Sequence, residues 1–371
     1  MPSRTARKTE TEPPSIETLR ARMDEISAKL LSLLSLRASV AVEIGRLKHQ
    51  DGGLVYQPGR EREVIDKLVA DNPGPLDERM VRRIFGEIVS ACRALEQVPR
   101  IAFLGPEHTY SHEAAMLHFG QSVEFAPEAS FAAAFQAVEG GRADFAVVPV
   151  ENSTDGSITL TLDLLIDTPL SIIGEIKLPI RQALASRDGE RAAIHRIVSH
   201  PSSLAQCRGY LAVNFAEVEQ EQVASNALAT RRAAEEPGVA AIASLSAAQA
   251  YGLKVIAHNI QDLANNSTRF LVMGKQPVDR SGKDKTTAIF AVADRVGTLH
   301  GALNVFARSA INISKIESRP LRARPWEYLF FVDFAGHRDD PKVKRGLKAL
   351  ERKTLFLKVL GSYPEGRAAL S

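Results

Sequence analysis

Apolar residues recur at alternating steps of three and four from Ile16 to Leu47: Ile16, Leu19, Met23, Ile26, Leu30, Leu33, then Arg37, then Val40, Ile44 and Leu47. This period places every one of them on a single helical seam. No proline falls between Ile16 and His49, and Gly45 is the only glycine there. The pattern therefore predicts one helix roughly 50 Å long. A domain of about 85 residues is narrower than that, so one chain leaves the stripe uncovered and a partner helix from a second copy is expected. Arg37 interrupts the seam, where a guanidinium is costly unless something anionic meets it. It either sets register through an ion pair or faces a pocket for an anion, and its cationic neighbours favour the pocket. Lys48 follows after close to three turns and shares its face. Arg20 lies on the order of 25 Å before Arg37, so one small ligand meets Arg20 and Lys48 together only if Arg20 comes from an antiparallel partner.

A second helix is expected to open at Arg60-Glu61-Arg62, after the loop Asp51-Gly52-Gly53. A third runs from Met80 to Glu96, with Ile84, Phe85, Ile88 and Val89 inside and Cys92 and Glu96 on one i, i+4 face. After Pro99 the pattern changes. Short β-branched runs (101–104, 145–150, 171–177, 194–199, 239–242, 254–257, 270–273) alternate with alanine-rich helices starting near Ser111, Ser130, Ser157, Ser202, Ser225 and Ser244. Serine suits an N-cap, and the alternation predicts α/β architecture with mainly parallel sheets. Four polar segments fall at strand ends, where open α/β sheets bind ligands: 105–111, 149–157, 199–207 and 265–270. Each alone reads as a capped turn; four in one domain read as a site. From Thr286 a smaller unit shows the order βαββαβ, a ferredoxin-like arrangement. Its strands are 286–292, 311–316, 327–334 and 355–360, its helices 298–309 and 341–352, and Glu317-Ser318-Arg319-Pro320 forms a turn after the second strand.

The length, 371 residues, suits two to three domains. A net charge of +3 with mixed signs, and aromatics not interleaved with basic runs, argue against nucleic acid as a partner. Cys92 and Cys207 fall in different domains, so neither a disulfide framework nor a metal spacing is present, which suits a reducing cytosol. No apolar run reaches membrane length, and the polar start of the chain, residues 1–15, reads as a disordered tail without a signal-peptide core. No glycine-rich phosphate loop occurs, so neither nucleotide nor cofactor is expected.

Residues 16–97 resemble the all-helical chorismate mutase domain, through Leu19-Arg20, the leucine run ending at Arg37, Val42-Glu43-Ile44-Gly45-Arg46-Leu47-Lys48 and Gly59-Arg60-Glu61-Arg62-Glu63. The resemblance implies an intertwined dimer in which Arg20 of the partner, Arg37 and Arg60 hold the two substrate carboxylates. Lys48 points at the ether oxygen and Glu61 takes a substrate hydroxyl. A Claisen rearrangement needs no nucleophile or metal, only a folded dianion with donors where negative charge grows. Two positions depart from the family pattern: Glu96 where some members place glutamine, and Gln57 where some place aspartate. Glu96 beside a developing oxyanion works only when protonated. Cys92 is either a weak donor or a small buried residue.

Residues 100–276 resemble prephenate dehydratase, through Thr268-Arg269-Phe270 after Asn266 and Val148-Pro149-Val150-Glu151-Asn152. The implied fold is two α/β lobes like type 2 periplasmic binding proteins, crossing to the second lobe near Leu178 and returning near Ile256. The reaction expels carbon dioxide and a ring hydroxyl, and a hydroxyl leaves only with a positioned proton donor. The resemblance gives that role to Thr268 and a substrate carboxylate to Arg269. Asn152, Ser199 and Gln206 orient the substrate, and Glu151 is structural or holds hydrogen bonds. His200 is read as scaffold, and His108 stands where many members have glycine. Residues 284–363 resemble the ACT regulatory domain, through Glu317-Ser318-Arg319-Pro320. By family spacing the partner motif is Gly297-Thr298-Leu299 rather than the more obvious Gly301-Ala302-Leu303, with backbone N–H groups at Gly297 meeting an amino acid's carboxylate. ACT domains pair, which implies a homodimer or homotetramer, with Trp326 near the interface. The expected partners are chorismate, prephenate and phenylalanine as effector, in the cytoplasm, with no metal. The residues leave three rivals open: a dehydratase preferring arogenate, a mutase domain disabled by Gln57 and Glu96, and a non-catalytic amino-acid sensor.

Overall fold

The computed structural model describes residues 15–50, 56–320 and 328–366. The Asp51-Gly52-Gly53 loop, Trp326 and all but Ser15 of the N-terminal tail lie outside those residues.

Three helices come first: α1 (Ile16–Gln50), α2 (Pro58–Ala70) and α3 (Glu78–Glu96). Asp77 caps α3 by accepting from the Met80 N–H at 2.7 Å. Within the chain α1 packs on α3 along Leu34, Arg37, Ala38, Ala41, Gly45 and Lys48. This face differs from the heptad seam. At 3.6 residues per turn Leu33, Val40, Ile44 and Leu47 fall on the other side of Arg37 from the packed residues and are 46–64 % exposed. Every residue from Ile16 to Leu33 is exposed. Ile84, expected inside, is 45 % exposed on α3.

Two α/β lobes follow. The first holds β1 (Arg100–Leu104), α4 (Tyr110–Phe119), β2 (Glu124–Glu128), α5 (Phe131–Glu139), β3 (Phe145–Asn152), β4 (Gly156–Ser157), α6 (Thr159–Asp167) and β5 (Ser171–Pro179). The second holds β6 (Ala183–Ser186), β7 (Arg196–Ser199), α7 (Pro201–Gln206), α8 (Arg208–Asn214), β8 (Glu219–Gln222), α9 (Asn226–Glu235), β9 (Val239–Ala243), α10 (Leu245–Ala250) and β10 (Lys254–Ala257). The chain then re-enters the first sheet as β11 (Ser267–Gly274). The sheet orders are β2-β1-β3-β11-β5, with β4 on β3, and β10-β6-β9-β7-β8.

Both sheets are mixed rather than mainly parallel. Strand β11 returns from the other lobe and runs antiparallel to β3 and β5, and β6 runs antiparallel to β9 and β10. Ser130, Ser225 and Ser244 cap helices as expected. Thr109 and His200 replace Ser111 and Ser202 as caps, and α6 starts after Ile158 with no side-chain cap. The unanticipated β2 and β8 are edge strands. One contains Pro127 and the other is wholly polar, so neither shows a buried alternation.

The last unit has β12 (Asp284–Ala291), α11 (Thr298–Arg308), β13 (Ile313–Pro320), β14 (Tyr328–Ala335), α12 (Pro341–Glu351) and β15 (Phe356–Pro364), with sheet order β13-β14-β12-β15. Residues 317–320 are not a turn. They continue the β13–β14 ladder to Pro320↔Tyr328. One sheet face carries the helices over Phe290, Val332 and Phe334. The other face merges with the first lobe: Ile289, Phe331, Leu360 and Tyr363 share one core with Ile172, Ile176 and Val272. At Gly361 a Cβ would collide with the backbone of Ile172. Gly361→Ala is therefore expected to cost about 1–3 kcal/mol, read as a lowered melting temperature.

Candidate functional site

Arg37 reaches from α1 to α3, where its Nη1 donates to Cys92 Sγ at 2.8 Å. One turn on, Glu96 packs against Gly45, whose missing Cβ leaves the space; a Cβ there would stand 2.7 Å from Glu96 Cγ. Glu96 Oε2 is buried without a hydrogen-bond partner among the described residues, the condition of a polar atom that a ligand completes. Glu61 faces the same space. Burial raises its pKa, the charges of Arg93 and Lys48 pull it down, and Glu96 pushes it up. Arg37, Lys48, Glu61, Cys92 and Glu96 therefore gather at the α1–α2–α3 junction.

The remaining expected residues do not join them within one chain. Arg60 turns outward to Glu63 at 2.6 Å, on a largely exposed helix face. Gln57 precedes α2 and makes no side-chain cap. Arg20 is exposed near the start of α1.

Arg93 is a residue the sequence did not reveal. It is 4 % exposed, its Nη1 sits 2.9 Å from both Glu61 oxygens, and its Nη2 donates to the Phe119 carbonyl at 2.5 Å. Its guanidinium lies over the Tyr56 and Phe119 rings. Beside it the Tyr56 hydroxyl is hydrogen-bonded to His118 Nε2. Burial pushes the His118 imidazole down to about 3, so the ring is neutral. Read by period alone, Arg93 is an ordinary helix-surface cation; only the docking of α4 buries it. A cavity of about 690 Å³ opens beside this joint, between α2, α3, α4 and the end of β15. It touches the mutase cluster only at Glu61.

In the two-lobed unit Asn152 and Thr268 are direct partners on β3 and β11. Asn152 Oδ1 accepts from the Thr154 and Asp155 N–H groups at 2.8 and 3.0 Å. That fixes the amide, so its Nδ2 donates to Thr268 Oγ1 and Asn266 Oδ1, both at 2.9 Å. With its oxygen accepting from Asn152, the Thr268 hydroxyl keeps its own proton for a group in the cleft. Asn266, 3 % exposed, has an Nδ2 with no partner among the described residues; it is a further donor next to the Asn152–Thr268 pair, absent from the sequence-based set. Across the cleft Gln206 donates to Asp155 Oδ2 at 3.0 Å and accepts from Gln182 at 3.3 Å. His200 caps α7 through Nδ1, and burial lowers its pKa, in keeping with a scaffold role. His108 takes a left-handed φ of 63° and donates its N–H to His112 Nδ1 at 3.0 Å, so it holds a conformation that favours glycine.

The placements expected for Ser199 and Arg269 are corrected, and Glu151 takes the structural one of its two readings. Ser199 is fully buried, and its hydroxyl donates to the Ile242 carbonyl at 2.7 Å while lying 2.9 Å from Asn226 Oδ1; it supports α9 from beneath. Glu151 and Arg269 adjoin Asn152 and Thr268 in sequence, and successive strand residues point to opposite faces. They therefore face away from the cleft. Arg269 donates to Glu175 at 2.7 Å, to Tyr363 at 2.9 Å and to Asp333. Burial pushes Glu175 up, but Arg269 and Lys285 together hold it below the usual carboxylate range. Glu151 pairs with Lys315 at 2.9 Å.

In the last unit Gly297, at φ 81°, is the N-cap of α11, and Gly301 and Ala302 fall inside that helix. Gly297, Thr298 and Leu299 line a cavity of about 280 Å³ with Tyr328 and Phe330. Ser318 and Pro320 are in register with Phe330 and Tyr328 and share their face. Glu317 and Arg319 point to the opposite face, where they meet Ser157 at 3.0 Å and Asp163 at 2.7 Å. The four-residue motif is thus split across the sheet by strand alternation.

Family models match three stretches: chorismate mutase type II over residues 19–97, prephenate dehydratase over 101–278 and the ACT domain over 286–352. A bifunctional chorismate mutase/prephenate dehydratase of Stutzerimonas stutzeri is 42 % identical over 361 residues, covering 96 % of this chain and 99 % of that protein. Its counterpart in Aquifex aeolicus is 41 % identical over 354 residues, covering 94 % and 98 %. The crystal structure of a prephenate dehydratase from Arthrobacter aurescens in complex with L-Phe is 35 % identical, with a TM-score of 0.66, covering 71 % of this chain and 89 % of that one. A helical unit, a two-lobed α/β unit and a ferredoxin-like unit, each with its own polar cluster, make a multidomain enzyme of aromatic amino-acid synthesis. The chain belongs to the bifunctional chorismate mutase/prephenate dehydratase family. It is an isomerase and a carbon–oxygen lyase in one polypeptide, converting chorismate to prephenate and prephenate to phenylpyruvate.

Proposed function

We propose that the two reactions occur at separate sites, within domains spanning 16–97 and 100–276, with an effector unit over 284–363. In the first site Arg37 and Lys48 hold the dianion, Glu61 takes its hydroxyl, and Glu96 donates to the ether oxygen when protonated. Arg20 and the apolar stripe of α1 belong to a dimer interface. A helix with its first eighteen residues exposed and leucines along them is covered by a second copy, which brings Arg20 toward the open side of Arg37. In the second site Thr268 delivers the proton to the departing hydroxyl, oriented by Asn152, and Gln206 and Asn266 contact the substrate. The fixed amide of Asn152 is the observation that carries this assignment. L-Phenylalanine is the effector, seated at Gly297 with Ser318 and Pro320. Among the described residues no helix is long and apolar enough to cross a membrane, and we place the enzyme in the cytoplasm.

The test supplies purified protein with chorismate, prephenate or arogenate and follows each product by absorbance, with and without phenylalanine. Arogenate turnover exceeding that of prephenate would overturn the substrate assignment, and unchanged dehydratase kinetics at saturating phenylalanine would remove the effector. For Glu96 the expected result is a chorismate rate kept or raised in Glu96→Gln, which always presents a donor, and lowered by about 10²-fold in Glu96→Ala. A wild-type rate in Glu96→Ala would reject the role.

A further inference from the structure

The β3–β11 ladder has two differently occupied faces. Asn152 opposes Thr268 on the cleft side, and Glu151 opposes Arg269 on the other. Against Glu151 and Arg269 stand two residues of the ferredoxin-like sheet, Lys315 on β13 and Asp333 on β14, which are themselves in register. Lys315 Nζ lies 2.9 Å from Glu151 Oε2, and Asp333 accepts from Arg269. The four form one charged quartet, each pair directly behind the pair on the adjoining sheet. The Arg269 and Asp333 side chains are only 12 % and 6 % exposed. Parting them would strand a buried charge, which costs far more than moving both together.

We propose that Lys315 and Asp333 are positioning residues of the dehydration: they hold Glu151 and Arg269, and so keep Asn152 and Thr268 aligned on the opposite face. The proposal rests on the assignment of Thr268 and Asn152 to the dehydratase site. Further along the same two strands Ser318 opposes Phe330, whose ring lines the cavity at Gly297. A small amino acid in that cavity bears on β13 and β14 from one side, while the quartet bears on them from the other. The register between β11 and β3 shifts at Arg269/Phe270, and such an irregularity re-aims side chains beside a site. A displacement of β14 against the lobe is therefore passed to β11 next to Thr268.

The test uses the full-length enzyme with Lys315→Met, Lys315→Arg and Asp333→Asn, and Thr268→Ala as reference. Prephenate kcat and KM are measured with and without L-phenylalanine, and phenylalanine binding is measured by calorimetry. The expected result is a kcat lowered by roughly tenfold in Lys315→Met and Asp333→Asn, as for couplings of this kind, with KM little changed. Phenylalanine still binds both variants but no longer alters kcat, and Lys315→Arg restores both kcat and response. Wild-type kcat and response in folded Lys315→Met overturn the proposal, as does loss of phenylalanine binding itself. Should Asp333→Asn fail to fold, the two Lys315 variants decide. Activity surviving in Thr268→Ala would remove the site assignment, an outcome distinct from failure of the quartet alone.

Discussion

Thr268→Ala should abolish phenylpyruvate formation, with kcat lowered by about 10²–10⁴-fold, the usual contribution of a positioned proton donor, while chorismate is still converted to prephenate at the wild-type rate. Asn152 Nδ2 donates to the threonine oxygen at 2.9 Å and its own Oδ1 is taken by two backbone N–H groups, so Asn152 cannot accept the hydroxyl proton, which is left to turn toward the substrate. Serine keeps the hydroxyl, and Thr268→Ser is expected to retain more activity than alanine. Single-turnover assays with prephenate, read as aromatic product absorbance, check this. If Thr268→Ala silenced both reactions in a folded protein, the separation of the sites would be wrong.

The reverse result is expected for Arg37→Ala. Chorismate rearrangement should fall by about 10²–10³-fold, the cost of losing one charged donor from a preorganised site, with prephenate dehydration untouched. Lysine is expected to restore little, because a point charge does not reproduce the planar fork of a guanidinium. Arg37 spends one N–H on Cys92 Sγ, which holds the fork in place and leaves further N–H groups for the substrate. Initial rates of chorismate loss in Arg37→Ala and Arg37→Lys decide the point.

Elements with a strong local signal were legible in the sequence. The α1 period, the βαββαβ order and the helix starts at Ser130, Ser225 and Ser244 depend on neighbours a few residues away. Gly297 was preferred to Gly301 on family spacing alone, and the structure puts the first at the start of α11 and the second inside it. What escaped depends on contacts between units. Arg93 looks like a surface cation until α4 docks on it. Glu151 and Arg269 belong to motifs that read as one block, yet a strand sends alternate residues to opposite sides, and only the docked sheet gives the outer ones partners. Glu317 and Arg319 were misplaced for the same reason, and the motif was read as a turn because its charges resemble one. Ser199 sits where a ligand contact was expected, but the burial of its hydroxyl under α9 depends on β9, forty residues on. Asn266 was passed over because its unsatisfied amide appears only once Asn152 has taken its oxygen.

The merged core of Ile289, Phe331, Leu360 and Tyr363 with the first lobe has a practical corollary. Cutting the chain after Val278 to obtain a version deaf to its end product would strip the catalytic half of part of its own interior and open to solvent the face on which Arg269 and Glu175 meet Asp333, Lys285 and Tyr363. If phenylalanine sits where we propose, desensitised forms for metabolic engineering are better sought among single substitutions around Gly297 and Ser318, which leave that seam intact.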